Sequence, residues 1–361
     1  MTWITKMAAI LGLVLCVAFS SATRWTENSK NIAGSEWQAA THTLPVGVRA
    51  EEIKFAGENV MLVGTLLLPK IEGSKRMPGV LIVGGAGPTT RDGVVFGQTA
   101  HTQYRELAES LAARGYAVLR YDKRCAGASG CKQHSLFEEY VSDGEAALKF
   151  LQKRPEVDPA RVVVFGHGEG GFIATVLVRP EQKLVGIVLA SAPGRTLGKL
   201  IRDHIKKSFT ETGKSQAEIN AYLARLKRIE DLLLAGRIET LADKPDPSDV
   251  VLARLIEQPE FSVSMLINDP LQAIKAVHVP LLILQGEKDV QMNVKDAEYL
   301  EEELQRANHP DFTVKVLPDV DYLLQTCKGS ATIKALSEPS RPIDPAVFST
   351  LTEWLQKKLG K

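Results

Sequence analysis

Short apolar runs alternate with helical patterns through most of this chain, and the alternation constrains the fold more than any other feature. Most runs are continuous and rich in Val, Leu and Ile, which is typical of strands buried on both faces of a sheet. The runs are 80–83, 117–121, 161–165, 184–190, 280–285 and 313–316. Helical patterns separate or follow them at 104–114, 139–152, 171–178, 296–306 and 345–358. The sequence therefore predicts an α/β fold with a mostly parallel sheet flanked by helices.

Two segments depart from the alternation. Runs at 51–55 and 60–68 flank a turn at 57–59 and predict an antiparallel hairpin. Between 193 and 269 there is no strand pattern, and 215–235 instead repeats apolar residues at helical spacing, with Ser215 and Glu218 placed as a capping box. We expect a helical cap insertion at 195–269, between the two core segments 49–194 and 270–361.

The start of the chain has the three parts of a secretory signal. Lys6 is the only charged side chain in residues 1–22, an apolar run covers 7–19, and Ser20-Ser21-Ala22 supplies small residues for cleavage. We expect a signal peptide at 1–22, an N-terminal arm at 23–48, and a periplasmic or extracellular protein with no stable membrane span after cleavage. An uncleaved anchor and lipid attachment at Cys16 remain as alternatives.

The charge balance and the cysteines limit which partners and metals we expect this protein to bind. The 361 residues carry 44 Lys+Arg against 43 Asp+Glu, and this balance argues against nucleic acid as a main partner. In an oxidising compartment Cys125 and Cys131 could form a disulfide across a short glycine-rich loop, leaving Cys327 unpaired; three free thiols are the alternative. Three cysteines without clustered histidines do not make a zinc site, and we expect neither a metal nor a cofactor.

The segment 162–171 combines a strand, a sharp turn and a helix. Gly166 and Gly170 flank the central residue of the turn, Gly168. This closely resembles the nucleophile elbow of the α/β-hydrolases, Gly-x-Ser-x-Gly, in which a serine projects above the sheet. At the nucleophile position Gly168 has no side chain and cannot attack a substrate.

Further motifs support the same resemblance over roughly residues 50–360. The Gly-Gly-Ala-Gly-Pro run at 84–88 resembles the family's oxyanion loop, which implies backbone donors at Ala86 (or Gly85) and at Glu169. Residues 120–130 resemble the Asp-x-Arg-Gly-x-Gly-x-Ser loop of esterase-like and serine-aminopeptidase-like members. Residues 284–289 and 317–324 resemble the segments that carry the triad acid and histidine. The resemblance implies an α/β-hydrolase fold with Asp289 at the acid position and Tyr322 at the histidine position.

The missing histidine can be checked without the family. The histidine that acts as general base for a catalytic serine must lie after the final strand to face Asp289. No histidine follows His309, and His309 precedes that strand. Tyrosine has an ordinary pKa near 10 and is a poor general base at neutral pH. His167, inside the elbow, is a candidate auxiliary group.

These residues predict a degenerate catalytic triad. The leading interpretation is an esterase-like pseudoenzyme that keeps a pocket under the cap for a small apolar or ester-like ligand, or for a protein partner. Two alternatives stay open. One is an enzyme of altered chemistry, lyase-like or hydrolytic, that uses Asp289 and Tyr322. The other is an ordinary esterase or peptidase that has its nucleophile elsewhere or carries inactivating changes at both positions.

Overall fold

The computed structural model of the chain describes residues 43–70, 76–93, 101–132, 135–247, 249–329, 331–332, 338 and 341–360. The predicted signal peptide at 1–22, and residues 23–42 of the predicted arm, lie outside the described residues. Within the described ranges, no helix has the length and apolar character needed to cross a bilayer.

Eight strands form one sheet. They are β1 (Val48–Ala56), β2 (Met61–Pro69), β3 (Met77–Val83), β4 (Ala117–Tyr121), β5 (Val157–His167), β6 (Gly186–Ala190), β7 (Leu281–Gly286) and β8 (Phe312–Leu317). Their order across the sheet is β1-β2-β4-β3-β5-β6-β7-β8. β2 is antiparallel to both its neighbours, β1 and β4. The strands β3, β4, β5, β6, β7 and β8 are all parallel to one another. The predicted hairpin and the predicted mostly parallel sheet are both confirmed.

Ten α-helices connect and cover the strands in the described residues. They are α1 (Gln103–Ala112), α2 (Phe137–Gln152), α3 (Glu169–Val176), α4 (Leu197–Glu211), α5 (Gln216–Leu234), α6 (Val250–Glu257), α7 (Pro259–Ile267), α8 (Pro270–Ile274), α9 (Val294–Arg306) and α10 (Pro345–Leu359). Short 3₁₀ helices cover Pro180–Gln182 and Ile238–Thr240. The helix predicted at 171–178 begins two residues earlier, because it starts directly after the turn at Gly168.

The sheet is buried on both faces, as the continuous apolar strands predict. Along β5, Val162 and Val164 belong to one apolar cluster, and Val163 and Phe165 to the cluster on the opposite face. This separation follows from the strand's two-residue period, which sends successive side chains to opposite faces. The central strands therefore hold a fixed register, and the loops after them are fixed in turn.

The segment between β6 and β7 is helical in its described residues and has an apolar cluster of its own. Ile201, Phe209, Leu226 and Ile229 are among its buried members. At the start of α5 the Ser215 hydroxyl accepts a hydrogen bond from the Glu218 N–H, and the Glu218 carboxylate accepts one from the Ser215 N–H. The predicted helix and its capping box are both present.

Charged side chains in the loop after β4 are deeply buried. Arg124 is fully buried and donates to Asp143 from two nitrogens, at 2.7 and 2.9 Å. Lys123 is 1% exposed and pairs with Glu169. Asp122 accepts a hydrogen bond from the Arg91 backbone N–H at 2.7 Å. These pairs tie the loop to α2, to α3 and to the loop after β3.

We predict that Arg124→Met destabilises the fold by about 3–5 kcal/mol, because it leaves the Asp143 carboxylate buried without its cation. Urea denaturation measures the loss. The matched control is Arg49→Met, since the Arg49 side chain is 51% exposed and pairs at the surface with Glu51 and Glu156. The control should lose about 1 kcal/mol or less. Equal losses in the two variants would contradict the importance of the buried pair.

Candidate functional site

Four loops meet above the carboxyl edge of the sheet, because parallel strands end on the same side. The loop at 84–88 follows β3, Gly168 follows β5, Asp289 follows β7 and Tyr322 follows β8. The Tyr322 hydroxyl lies beside both Gly85 and Gly168. Asp289 is held instead in its own turn. The structure thus brings the predicted nucleophile and histidine positions into contact.

The turn at Gly168 has an unusual backbone conformation, with φ 54° and ψ −123°. Residues with a side chain rarely adopt it. The turn is crowded as well, because a Cβ on Gly170 would overlap the backbone oxygens of Val83 and Gly84, and one on Gly166 would overlap the backbone of Gly170. The flanking glycines therefore permit the start of α3 to approach β3 and β5. The sharp turn of an elbow is present without a side chain at its apex.

Tyr322 fills the space above this turn. A Cβ built on Gly168 would overlap the Tyr322 hydroxyl oxygen, and one built on Gly85 would lie 3.1 Å from it. Tyr322 is buried and packs with Leu200, Met292 and Leu323. The hydroxyl therefore stands where the first side-chain atoms of a nucleophile would project.

His167 is engaged through both ring nitrogens. Its Nε2 lies 2.7 Å from the Tyr322 carbonyl oxygen and its Nδ1 lies 2.7 Å from the Tyr104 hydroxyl. A carbonyl only accepts, so the proton is assigned to Nε2, and the Tyr104 hydroxyl donates to Nδ1. Burial lowers the pKa of His167 to about 4. The ring is neutral at pH 7 and holds the backbone of Tyr322 in place.

The Asp289 carboxylate accepts hydrogen bonds from its own loop and from the end of β7. Its Oδ1 accepts from the N–H groups of Gln291 at 2.7 Å and Met292 at 2.9 Å, and its Oδ2 accepts from the Gln285 amide at 3.1 Å. Burial nevertheless raises the pKa of Asp289 to about 7, because desolvation outweighs these bonds and the opposing contribution of the Ser191 side chain. The carboxyl group can therefore exchange a proton near neutral pH.

The expected backbone donors differ in availability. The Gly85 N–H donates to the Tyr104 hydroxyl at 2.8 Å and is therefore engaged within the protein. Among the residues that the structure describes, the N–H groups of Ala86 and Glu169 have no hydrogen-bond partner. Glu169 is the first residue of α3, where the first amides of a helix lack intrahelical acceptors.

A small apolar cleft lies beside Ala86 and Glu169, with a volume of about 50 Å³. Its walls come from the loop at 84–88, α3, the helical segment between β6 and β7, and the loop after β7. The apolar part of the wall includes Phe172, Leu197, Leu200, Met265 and Met292. Glu169, Arg195 and Asn268 are the polar residues at its wall. The cleft has room for a short, uncharged group.

The loop at 120–130 departs from the hydrolase pattern at Cys125. This residue has a φ of 65° at the position where the pattern has glycine. The structure joins it to Cys131 in a disulfide, and Cys327 is a buried free thiol. No group of His, Cys, Asp and Glu suited to hold a metal ion occurs in the described ranges.

Tyr104 and Lys123 belong to the site although sequence reasoning did not single them out. Tyr104 links the oxyanion loop to His167, and Lys123 links it to Glu169. Lys123 had a weak signal, because it occupies a variable position inside a recognised motif. Tyr104 had none, since in the sequence it is one apolar residue of a helix.

Similarities to known proteins agree with this geometry. The chain matches the family described as serine aminopeptidase, S33, over residues 95–226. Esterase EstD of Thermotoga maritima is 25% identical over 332 residues, which cover 91% of this chain and 72% of that protein.

Solved structures show the same fold. The hypothetical protein PA2218 from Pseudomonas aeruginosa superposes with a TM-score of 0.56 at 18% identity, over 90% of this chain and 98% of that chain. The Pyrococcus furiosus esterase Pf2001 gives a TM-score of 0.54 at 17% identity, over 90% and 95%. With its strand order, its sharp turn after β5 and these similarities, the chain has the α/β-hydrolase fold and is similar to esterases and serine aminopeptidases.

Proposed function

We propose that this protein binds a small apolar or ester-like ligand in the cleft and lacks efficient serine-hydrolase activity. One observation carries the proposal. The Tyr322 hydroxyl occupies the space above Gly168, where a hydrolase of this fold places its nucleophile. Gly168, Asp289 and Tyr322 then form a degenerate triad that has lost its nucleophile and its base.

The expected loss of hydrolysis is large. Removing a triad nucleophile costs about a million-fold in the catalysed step, and binding with an oxyanion site retains about a thousand-fold over water. His167 does not replace the base, because Tyr104 and Tyr322 occupy both of its nitrogens. A protein with these groups is therefore suited to hold a ligand rather than to turn it over.

The chemistry of the cleft supports a neutral ligand that contains a carbonyl group. Ala86 and Glu169, the residues that carry the two expected backbone donors, line a wall that is otherwise mostly apolar. Such donors suit a carbonyl oxygen, and the apolar wall suits a short aliphatic or acyl group. The similarity to a protein named an esterase favours an ester-like ligand. A protein partner under the helical segment is the alternative occupant.

We also propose that the protein is exported, to the periplasm or the extracellular space. The signal-peptide pattern at 1–22 supports this. The Cys125–Cys131 disulfide supports it independently, because disulfides persist in oxidising compartments.

A second candidate function is an enzyme of altered chemistry. It is favoured by Asp289, because a carboxyl group whose pKa is near 7 can act as an acid or a base at neutral pH. Its proton would be exchanged with a ligand held beside Tyr322. Turnover that depends on Asp289 separates this candidate from the binding protein.

We predict that the chain from residue 23 onward hydrolyses p-nitrophenyl butyrate no faster than its Asp289→Ala variant, because no nucleophile stands at the turn. Release of p-nitrophenolate measures both rates. Turnover that falls at least tenfold in the Asp289→Ala variant would contradict the proposal and favour the altered enzyme.

We predict that Gly168→Ser and Tyr322→His restore hydrolysis only together. A serine alone collides with the Tyr322 hydroxyl, and a histidine alone has nothing to activate. The double variant should exceed each single variant by about a thousand-fold in rate, and a fluorophosphonate should label the hydroxyl of its introduced serine.

Thermal melting of the two single variants and of the double variant tests whether each of them folds. A folded double variant that neither hydrolyses the ester nor takes the label would contradict the inferred roles of positions 168 and 322.

We predict that Asp289 makes stability depend on pH. Its pKa is higher in the folded chain than the ordinary value of 3.8, so folding takes up a proton between about pH 4 and pH 7, and stability falls over that range. Asp289→Asn removes this dependence. Urea denaturation at pH 5 and pH 8 should show the variant gaining stability relative to the native chain as the pH rises. A constant difference would show that the carboxyl group titrates normally.

A further inference from the structure

Lys123 is a buried cation that lies directly behind the oxyanion loop. Its side chain is 1% exposed, and its Nζ donates to the Gly85 carbonyl at 2.8 Å and to the Glu169 carboxylate at 2.6 Å. Nζ also lies 4.4 Å from the centre of the Tyr140 ring, over its face. These contacts fix the ammonium in one place.

The first contact acts on a donor of the site. The Gly85 carbonyl and the Ala86 N–H belong to one peptide group. An ammonium that donates to the carbonyl draws electron density toward that oxygen and polarises the whole peptide. Its N–H then becomes a stronger donor, since hydrogen bonds in a chain reinforce one another and act more strongly where water is excluded.

The second contact acts on the other donor. The Glu169 side chain is held by Lys123, and the Glu169 N–H is the first of α3. One ammonium therefore connects the two elements that carry the Ala86 and Glu169 donors, the loop after β3 and the start of α3. The same side chain therefore bridges the two donor-bearing segments.

The neighbouring cation provides a contrast. Arg124 is equally buried and also bonded to a carboxylate, but its partners Asp143 and Glu139 lie on α2. Burying a charge is costly unless close partners compensate for the lost water. Arg124 already attaches the loop to the core through α2. Lys123 contacts different segments, the two that carry the Ala86 and Glu169 donors.

We propose that Lys123 is a positioning residue that polarises the Gly85–Ala86 peptide and aligns it with Glu169, so that the Ala86 and Glu169 N–H groups bind the carbonyl oxygen of a neutral ligand strongly. The inference rests on the proposed function, because it concerns the same cleft. It names the ligand class more closely, as compounds with an uncharged carbonyl group.

The experiment compares two chains that differ only at position 123. Both carry Glu169→Gln, so that removing the lysine leaves no buried carboxylate unpaired, and one of them also carries Lys123→Met. The probe is 2-hexanone labelled with ¹³C at its carbonyl, which cannot be hydrolysed. Infrared spectroscopy follows its carbonyl band, and calorimetry gives its affinity.

In the Glu169→Gln chain we expect the carbonyl band of the bound ketone to lie at lower wavenumber than that of the free ketone, because strong donors weaken the carbonyl bond. In the chain that also lacks Lys123 the band should move less, and the affinity should be about five- to tenfold weaker, as for exchanging a charge-assisted donor for a neutral one. Equal bands and equal affinities in the two chains would overturn the role of Lys123.

Two further comparisons keep the outcome decisive. If Lys123→Met unfolds the chain, Lys123→Gln replaces it, since a neutral amide still donates a hydrogen bond; the band should again move less, and an unchanged band would overturn the inference. Lys132→Met is the matched control, because Lys132 is 51% exposed in the same loop, and it should leave band and affinity unchanged.

If the native chain does not bind the ketone at all, the proposed function itself fails, and the inference fails with it.

Discussion

The site depends on the close approach of the first turn of α3 to the ends of β3 and β5. Gly166 and Gly170 permit that approach, since a Cβ at either position would overlap backbone atoms. At this turn Gly168 has a positive φ, and Glu169, the first residue of α3, lines the cleft. It also brings the loop after β3 to the start of α3, so that one lysine can contact both. The backbone of an elbow is thus retained for reasons of packing, independently of any nucleophile.

Gly168 and Tyr322 are complementary. The absence of a side chain at 168 leaves room for the Tyr322 hydroxyl, and a Cβ at 168 would require that hydroxyl to move. His167 stabilises the arrangement by donating to the Tyr322 carbonyl, while Tyr104 holds both the imidazole and the Gly85 N–H. His167, the candidate auxiliary group, thus belongs to a buried hydrogen-bond network with Tyr104, Gly85 and Tyr322, and such networks favour a single conformation.

Buried charge is concentrated in the loop after β4. Asp122, Lys123 and Arg124 each pair with a different segment of the fold. Desolvating three consecutive charged residues is costly, and each must be compensated by a close partner. The disulfide between Cys125 and Cys131 closes the same loop and fixes a non-glycine residue at positive φ. The same loop places the Lys123 ammonium behind the Gly85–Ala86 peptide.

The sequence by itself determined the local elements and their class. Strand and helix periods, the hairpin, the capping box of Ser215 and Glu218, and the glycine spacing at 166–170 depend on residues close together in the chain. Only the tertiary structure decided which groups of the site are available. The Gly85 N–H is bonded to a residue 19 positions away, Lys123 bonds residues 38 and 46 positions away, and His167 reaches a carbonyl 155 positions away. The raised pKa of Asp289 comes from burial, which packing from several elements produces. Periodicity predicts which face of an element is buried, but the partner of a buried polar group depends on distances between elements, which no local pattern records.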